Sequence, residues 1–120
     1  MRRAAYTGAE YTLSLAPIGY NPIVATQSVP QNLPDGFEAQ FGFVVHNIKR
    51  VLAEAGGSFR DLVKVNVLLT RASDVATMNV LYAPAFGPAP YPARTTCVVQ
   101  ALPDPAMLIE IECVASLAGR

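Results

Sequence analysis

Residues 92–115 read PARTTCVVQALPDPAMLIEIECVA, and this stretch decides the fold of the C-terminal part of the chain. Its β-branched and aliphatic residues predict one strand over residues 94–101 and another over residues 107–116. A turn is predicted between them at Pro103-Asp104-Pro105, since proline and aspartate both favour turns. The segment therefore predicts one apolar strand leading out and a second leading back.

Arg94 lies at the start of the first of these strands, and Glu110 and Glu112 lie in the second. An arginine and a carboxylate on neighbouring strands can bind an anionic substrate and move a proton beside it, because the guanidinium group pairs with a carboxylate through two parallel hydrogen bonds. Two interpretations of Arg94 stay open at this point. It is either an anchor for an anionic ligand or one half of a structural ion pair with Glu110 or Glu112.

Glu110 and Glu112 alternate with aliphatic residues, so both acids point to one face of their strand. Two acids with the same orientation favour a raised proton affinity in one of them, which suits acid–base chemistry. The alternative is a solvent-facing strand edge, on which the two acids keep the surface solvated and prevent aggregation.

The first helix is the clearest element outside this segment. An apolar stripe at helical spacing runs from Phe41 to Ala55 within a helix that begins at Phe37. Asp35 is the predicted N-cap, and Gly56-Gly57 is predicted to end the helix, because glycine tolerates a left-handed backbone.

The other elements give the order β-β-α-β-α-β-β. Ser73 is predicted to cap a second helix, and Pro84 is predicted to end it. We expect a single α+β domain over residues 1–120, with one mixed sheet and both helices packed on one of its faces. The remaining predicted strands cover residues 11–16, 23–26 and 62–70. A turn-rich loop is predicted at residues 17–22.

The composition points to a protein that associates with itself. Hydrophobic residues make up 52% of the chain and charged residues 15%, against a usual charged share of about a quarter. Such a chain would leave apolar surface exposed as a monomer, so we expect a partner subunit on the bare sheet face, with a poorly soluble monomer as the alternative. A net charge of zero disfavours nucleic-acid binding, and no apolar run is long enough to span a membrane. We therefore expect a cytoplasmic location.

The remaining polar residues offer little further chemistry. His46, the single histidine, is predicted to lie on the solvent face of the first helix. Cys97 and Cys113 lack metal spacing and are interpreted as reduced packing residues in strands. Tyr82 is predicted to be in the core, and Asn79 faces either solvent or the neighbouring loop. No metal site is predicted.

Several segments together resemble the reactive-intermediate deaminase family, also called the RidA/YjgF family. The C-terminal signature consists of Pro92-Ala93-Arg94-Thr95, Leu102-Pro103 and Ile109-Glu110-Ile111-Glu112. Further matching segments are Ala55-Gly56-Gly57, Asp61-Leu62-Val63-Lys64 and Met78-Asn79-Val80-Leu81-Tyr82. The likeness covers about residues 20 to 116.

This resemblance implies a fold, an assembly and an activity. The fold is a chorismate-mutase-like homotrimer of α+β subunits with clefts between the subunits. The activity is cofactor-independent hydrolysis of enamines or imines, such as 2-aminoacrylate, to 2-oxo acids and ammonia. Arg94 matches the carboxylate-binding arginine, and Glu110 matches the glutamate that holds the attacking water. The other residues implied to bind substrate are Tyr11, Thr26, Asn79 and Thr96.

The N-terminal third departs from the family pattern. Thr26-Gln27 replaces a Ser-Gly pair, and Tyr11 is the nearest counterpart of a tyrosine over the pocket. Because Gln27 restricts backbone approach where glycine would not, a larger imine or an aminomuconate-like compound is an alternative substrate. Three functions follow as hypotheses: an imine or enamine deaminase, a non-catalytic trimer that binds small carboxylates, and an endoribonuclease or translation inhibitor. The neutral net charge disfavours the third.

Overall fold

The computed structural model describes residues 34–117 in full and, before them, the backbone of three strands at residues 3–4, 11–14 and 20–25. The strands are β1 (Arg3–Ala4), β2 (Tyr11–Ser14), β3 (Tyr20–Ala25), β4 (Leu62–Leu69), β5 (Ala93–Val98) and β6 (Ile109–Ser116). The helices are α1 (Phe37–Glu54) and α2 (Val75–Phe86), and short 3-10 turns precede β4 and α2. The predicted order of elements is confirmed, with the two-residue β1 in addition.

All six strands form one mixed sheet in the order β1-β2-β3-β6-β4-β5. Only β4 and β5 pair in parallel, and β5 forms the edge of the sheet. The prediction that the strands of Arg94 and Glu110 are neighbours is wrong, because β4 lies between β5 and β6. Instead of a hairpin turn, residues 99–108 connect β5 to β6 past β4, and buried Leu102 and Met107 anchor this connection.

Both helices pack on the same face of the sheet, which confirms the predicted α+β class. The core consists of the apolar stripe of α1, the inward side of α2 and alternate residues of β4 and β6. Its fully buried members include Ile48, Leu52, Leu69, Met78, Ile109 and Ile111. No helix among the described residues covers the opposite face of β4, β5 and β6. Because apolar residues alternate along β4 and β6, one face of the sheet packs against the helices and the other is left bare.

The ends of α1 differ in how well the sequence predicted them. Gly36 rather than Asp35 occupies the N-cap, with a φ of 86° and no side-chain cap. Glycine fits there because a residue with a Cβ rarely adopts that backbone conformation. At the other end Gly56 has a φ of 79° after Ala55, so the prediction of a left-handed glycine stop is confirmed.

The prediction that Pro84 ends α2 is wrong, because the helix continues to Phe86 with the proline inside it. The ring of Phe86 is buried and stacks on Tyr82 with 4.2 Å between centroids, and it also contacts Phe59 at 5.1 Å. Burial of this aromatic cluster stabilises the last turn despite the hydrogen bond that the proline cannot donate. Ser73 is likewise no cap of α2, because it lies in the 3-10 turn Ala72–Asp74.

Candidate active site

Arg94 and Glu110 lie on opposite faces of the sheet. Arg94 is in register with Val65 of β4, which is in register with Cys113 of β6, and both of these partners are core residues. Glu110 is in register with Leu68, on the other side of the pleat. Residues in register point to the same face, so Arg94 faces the helices and Glu110 faces the bare side. A single chain therefore does not place both side chains around one ligand.

The guanidinium group of Arg94 is held by three neutral groups of α2. Its Nη2 donates a hydrogen bond of 2.8 Å to Oδ1 of Asn79, and its Nη1 lies 3.8 Å from the sulfur of Met78. Its Cζ lies 4.5 Å from the centroid of the Tyr82 ring, a cation–π arrangement. Within residues 34–117 no carboxylate lies within 4 Å of it, so the interpretation as an ion pair with Glu110 or Glu112 is wrong.

Tyr82 lies between Arg94 and Phe86. The Phe86 ring lies 4.2 Å and the Arg94 guanidinium carbon 4.5 Å from the centroid of the Tyr82 ring. One side of the ring has no room for both, so they occupy opposite sides. Burial raises the pKa of Tyr82 to about 12, with the nearby Arg94 charge acting in the other direction. The phenol is therefore neutral at physiological pH. Its hydroxyl group is buried and has no hydrogen-bond partner among the described residues.

An open pocket of about 370 Å³ lies beside Arg94. Its described lining consists of Asn79, Tyr82, Ala83, Tyr91, Pro92 and Arg94. Sequence reasoning identified Arg94 and Asn79 but missed the aromatic and proline walls. The available signal was the position of Tyr91 three residues before the arginine, in a loop whose prolines limit its conformations.

The other residues implied to bind substrate are not brought into this pocket by the described structure. Thr96 lies two residues beyond Arg94 on the same strand face, and its hydroxyl group is buried without a hydrogen-bond partner among the described residues. Thr26 and the side chain of Tyr11 lie outside the described residues. The described part of β3 ends at Ala25, opposite Ile111, one residue from Glu110.

Glu110 is half-buried on the bare face, beside the exposed Glu112 on the same strand side. Burial raises the pKa of the Glu110 carboxyl group, and the negative charge of Glu112 raises it further. The carboxyl group therefore keeps its proton to a higher pH than an ordinary glutamate does, which suits a group that exchanges protons with a substrate.

Neither cysteine supplies a reactive thiol in the core. Both are unpaired, and burial raises the pKa of the Cys113 thiol to about 12, so it stays protonated. Cys97 is exposed on β5, so its interpretation as a packing residue is wrong. His46 is exposed, as predicted. Residues 34–117 contain no group of three His, Cys, Asp or Glu side chains placed to hold a metal ion, and no described helix is long and apolar enough to cross a membrane.

Comparison with known proteins places this site in a family. The endoribonuclease L-PSP family model matches residues 18–117. Protein mmf2, mitochondrial, of Schizosaccharomyces pombe is 40% identical over 70% of this chain and 68% of its own length. Reactive Intermediate Deaminase A, chloroplastic, of Arabidopsis thaliana is 41% identical over 69% of this chain but only 43% of its own length. Because these relatives carry organelle names, the cytoplasmic location stays a prediction.

A solved structure extends the likeness over nearly the whole chain. RidA from the Antarctic bacterium Psychrobacter is 32% identical, with a TM-score of 0.76 over 96% of this chain and 94% of its own. The sequence resemblance, the α+β fold and the matched residues therefore agree, and this chain belongs to the endoribonuclease L-PSP family, which includes the RidA and YjgF proteins.

Proposed function

We propose that this protein hydrolyses enamine and imine intermediates of the 2-aminoacrylate type to 2-oxo acids and ammonia. The observation that carries the proposal is the Arg94 guanidinium group, which is oriented by neutral contacts beside a pocket and has no carboxylate partner among the described residues. A relative from Arabidopsis is named a reactive intermediate deaminase, which supports the same activity. No metal or organic cofactor enters the proposed reaction.

Arg94 binds the substrate carboxylate in this proposal. Asn79 takes one guanidinium N–H group and the Tyr82 ring covers one face, so the remaining donors are directed and available to an anion. A charge-assisted pair of this kind fixes both the position and the orientation of the substrate. With the carboxylate fixed, the adjacent C=N carbon takes a defined place at which water can attack.

Glu110 positions water and moves protons. Hydrolysis adds the water oxygen to the imine carbon and a proton to the nitrogen, and ammonia then leaves as the C=O bond forms. An enamine first takes a proton on carbon and loses one from nitrogen, which gives the imine. A carboxyl group whose pKa is raised above that of an ordinary glutamate can both donate and accept these protons, and such assistance adds about 100-fold to 10,000-fold.

The two residues act on one substrate if neighbouring subunits contribute one each. Arg94 and Glu110 face opposite sides of one sheet, so a single subunit does not surround a ligand with both. In the proposed homotrimer, the Arg94 pocket of one subunit meets the bare face of the next, which carries Glu110. The uncovered sheet face and the exposed edge strand β5 support such contacts.

The test measures ammonia release from 2-aminoacrylate generated by a dehydratase acting on serine. We expect Arg94→Ala to lower kcat/KM about 100-fold, because a charge-assisted contact with the substrate is lost. The matched control is Arg60→Ala, which removes an exposed arginine of the 3-10 turn before β4, outside the pocket lining, and we expect it to leave kcat/KM unchanged. Equal activity of Arg94→Ala and wild type would refute the role of Arg94.

Two other functions are outcomes of the same experiments. Binding of a 2-oxo acid in calorimetry, without turnover of any imine, would favour a non-catalytic carboxylate-binding protein. Cleavage of RNA that disappears in Arg94→Ala would favour the activity that the family description names. The zero net charge of the chain does not support RNA binding, because that binding depends on displaced counterions.

A further inference from the structure

The wall of the pocket beyond Arg94 is apolar. Of the six described lining residues, Ala83, Tyr91 and Pro92 present hydrocarbon or aromatic surface, and Arg94 is the only charged one. Asn79 already binds Arg94 through its carbonyl oxygen. A ligand whose carboxylate is bound by Arg94 therefore meets the Tyr91 side of the pocket with whatever side chain it carries.

Tyr91 lies against the end of α2 in this position. Its hydroxyl group donates a hydrogen bond of 3.4 Å to the Ala83 carbonyl oxygen. Gly87 makes this approach possible, because a Cβ there would lie 2.9 Å from the Tyr91 hydroxyl oxygen and 2.6 Å from that same carbonyl oxygen. The aromatic ring is nevertheless 48% exposed, so it has surface left for a ligand to cover.

The pocket has room for a ligand larger than 2-aminoacrylate. About 370 Å³ lies within the usual range of small-molecule sites, about 300–1,000 Å³, whereas a three-carbon enamine fills only part of it. An acidic side chain packed against Tyr91 and Pro92 would lose water there, while Arg94, the one charged residue of the described lining, already binds the substrate carboxylate in this proposal. An apolar side chain would bury both its own surface and that of Tyr91.

We propose that Tyr91 makes this protein selective for 2-imino and 2-enamino acids with a large apolar side chain, aromatic or branched aliphatic, over those with a methyl or an acidic side chain. The inference rests on the proposed deaminase function and specifies its substrate class. The reaction at the C=N bond is unchanged, and Tyr91 contributes by contacting the substrate side chain.

The experiment compares imines made in place by an L-amino acid oxidase from phenylalanine, leucine, alanine and glutamate, with catalase present to remove peroxide. The measured quantity is kcat/KM for imine hydrolysis. We expect wild type to prefer the phenylalanine and leucine imines over the alanine imine by about tenfold, since one added methylene in an apolar site is worth about 10-fold to 200-fold and this site is open. The glutamate imine should be the poorest substrate.

Four variants test the residue itself. Tyr91→Ala should lower kcat/KM for the phenylalanine imine about tenfold while leaving the alanine imine within about twofold. Gly87→Ala should give the same pattern, because the added Cβ displaces Tyr91. Tyr91→Phe keeps the ring and should keep the preference. Val80→Ala, at an exposed position of α2 outside the pocket lining, is the matched control and should change neither rate.

The outcomes separate this inference from the proposed function. If wild type treats all four imines alike, or if Tyr91→Ala slows them equally, the selectivity is refuted while the deaminase function stands. If none of the imines is hydrolysed faster than in buffer, the proposed function and this inference fail together. Thermal unfolding of each variant identifies loss of the fold, and if Tyr91→Ala unfolds, the wild-type ranking of the four imines and the Gly87→Ala variant decide the test.

Discussion

At the scale of single residues, Tyr82 belongs to the core and to the pocket at once. One face of its ring stacks on the buried Phe86, and the other carries the guanidinium group of Arg94. Its hydroxyl group makes no hydrogen bond to a described residue. The ring rather than the hydroxyl group is therefore the part of Tyr82 that orients Arg94.

Replacing the Tyr82 ring should weaken ligand binding, and it should also cost stability because the ring is buried against Phe86. Tyr82→Leu keeps an apolar side chain but removes the π face, so we expect the Kd for 2-oxobutyrate in calorimetry to rise about threefold to tenfold. Tyr82→Phe should keep the wild-type Kd within about twofold and should not lower the free energy of unfolding. Wild-type affinity in Tyr82→Leu would show that the stack has no part in binding.

The pKa of Glu110 should respond to its neighbour on the same strand. The negative charge of Glu112 favours the neutral form of Glu110, so Glu112→Gln should lower the Glu110 pKa. Burial still acts, so the value should stay above that of an ordinary glutamate. A titration of the side-chain carboxyl groups by carbon NMR measures this shift, with Glu38→Gln on the exposed side of α1 as the control.

The same substitution gives a kinetic prediction with a defined sign. If protonated Glu110 donates the proton to departing nitrogen, the rate falls as the pH rises through its pKa. Lowering that pKa in Glu112→Gln should therefore move the alkaline limb of the pH–rate profile to lower pH. An unmoved limb beside a lowered Glu110 pKa would assign proton donation to another group.

Individual residues differ in how well the sequence revealed them. Arg94 was predictable because a charged side chain in an apolar strand needs a partner, and the surrounding motif matches a family. Tyr91 was not, because its role depends on a contact with the carbonyl of Ala83, which only the folded loop brings near. The partners of Arg94 likewise could not be predicted. They lie on α2, and no local sequence pattern determines the angle at which that helix packs on the sheet.

At the scale of elements, buried Gln40 connects α1 to the segment before β6. Its Nε2 donates hydrogen bonds to the carbonyl oxygens of Pro34 and Ala106, and its Oε1 accepts one from the amide N–H group of Leu108. The connection that leads to Glu110 is thus fixed by a polar side chain inside an apolar layer. Such a group stabilises one arrangement, because any other leaves it without partners.

Removing that group should destabilise the protein without touching the pocket. Gln40→Leu leaves the Leu108 amide and the Ala106 carbonyl without their partner, so we expect a loss of about 2–4 kcal/mol in the free energy of unfolding. Glu38→Ala, at an exposed position of the same helix, should change it by less than about 0.5 kcal/mol. Urea unfolding compares them, and equal stability would show that water replaces the lost contacts.

The elements were largely predictable, whereas their arrangement in the sheet was not. The range of α1 and that of β4 agree with prediction within one residue, because each has a strong periodic pattern and a clear end. The position of β4 between β5 and β6 could not be read from the sequence, because strand order depends on long-range pairing. The prediction that Pro84 ends α2 failed for a related reason. The stacking of Phe86, a tertiary contact, outweighs the local tendency of proline to end a helix.

At the scale of the whole molecule, the opposite orientations of Arg94 and Glu110 predict shared pockets. Arg94→Ala and Glu110→Gln should each be nearly inactive alone. When the two are unfolded, mixed in equal amounts and refolded together, about a quarter of the sites in a closed ring of subunits should receive both wild-type residues. The imine hydrolysis rate should recover to about that fraction.

The control for this experiment mixes each variant with itself under the same conditions. No recovery in the mixed sample, with assembly to wild-type size by light scattering, would mean that one subunit supplies both residues. Because Arg94 and Glu110 face opposite sides of the sheet, that outcome would require a rearrangement of β5 on assembly.

The stacking of Phe86, Tyr82 and Arg94 also gives the protein a built-in optical signal. The chain has no tryptophan and five tyrosines, and two of the tyrosines line the pocket. Tyrosine fluorescence is therefore not quenched by energy transfer to tryptophan. An anion arriving at Arg94 changes the electric field across the Tyr82 ring. Ultraviolet absorption and intrinsic fluorescence should consequently report occupancy of this pocket without an added label.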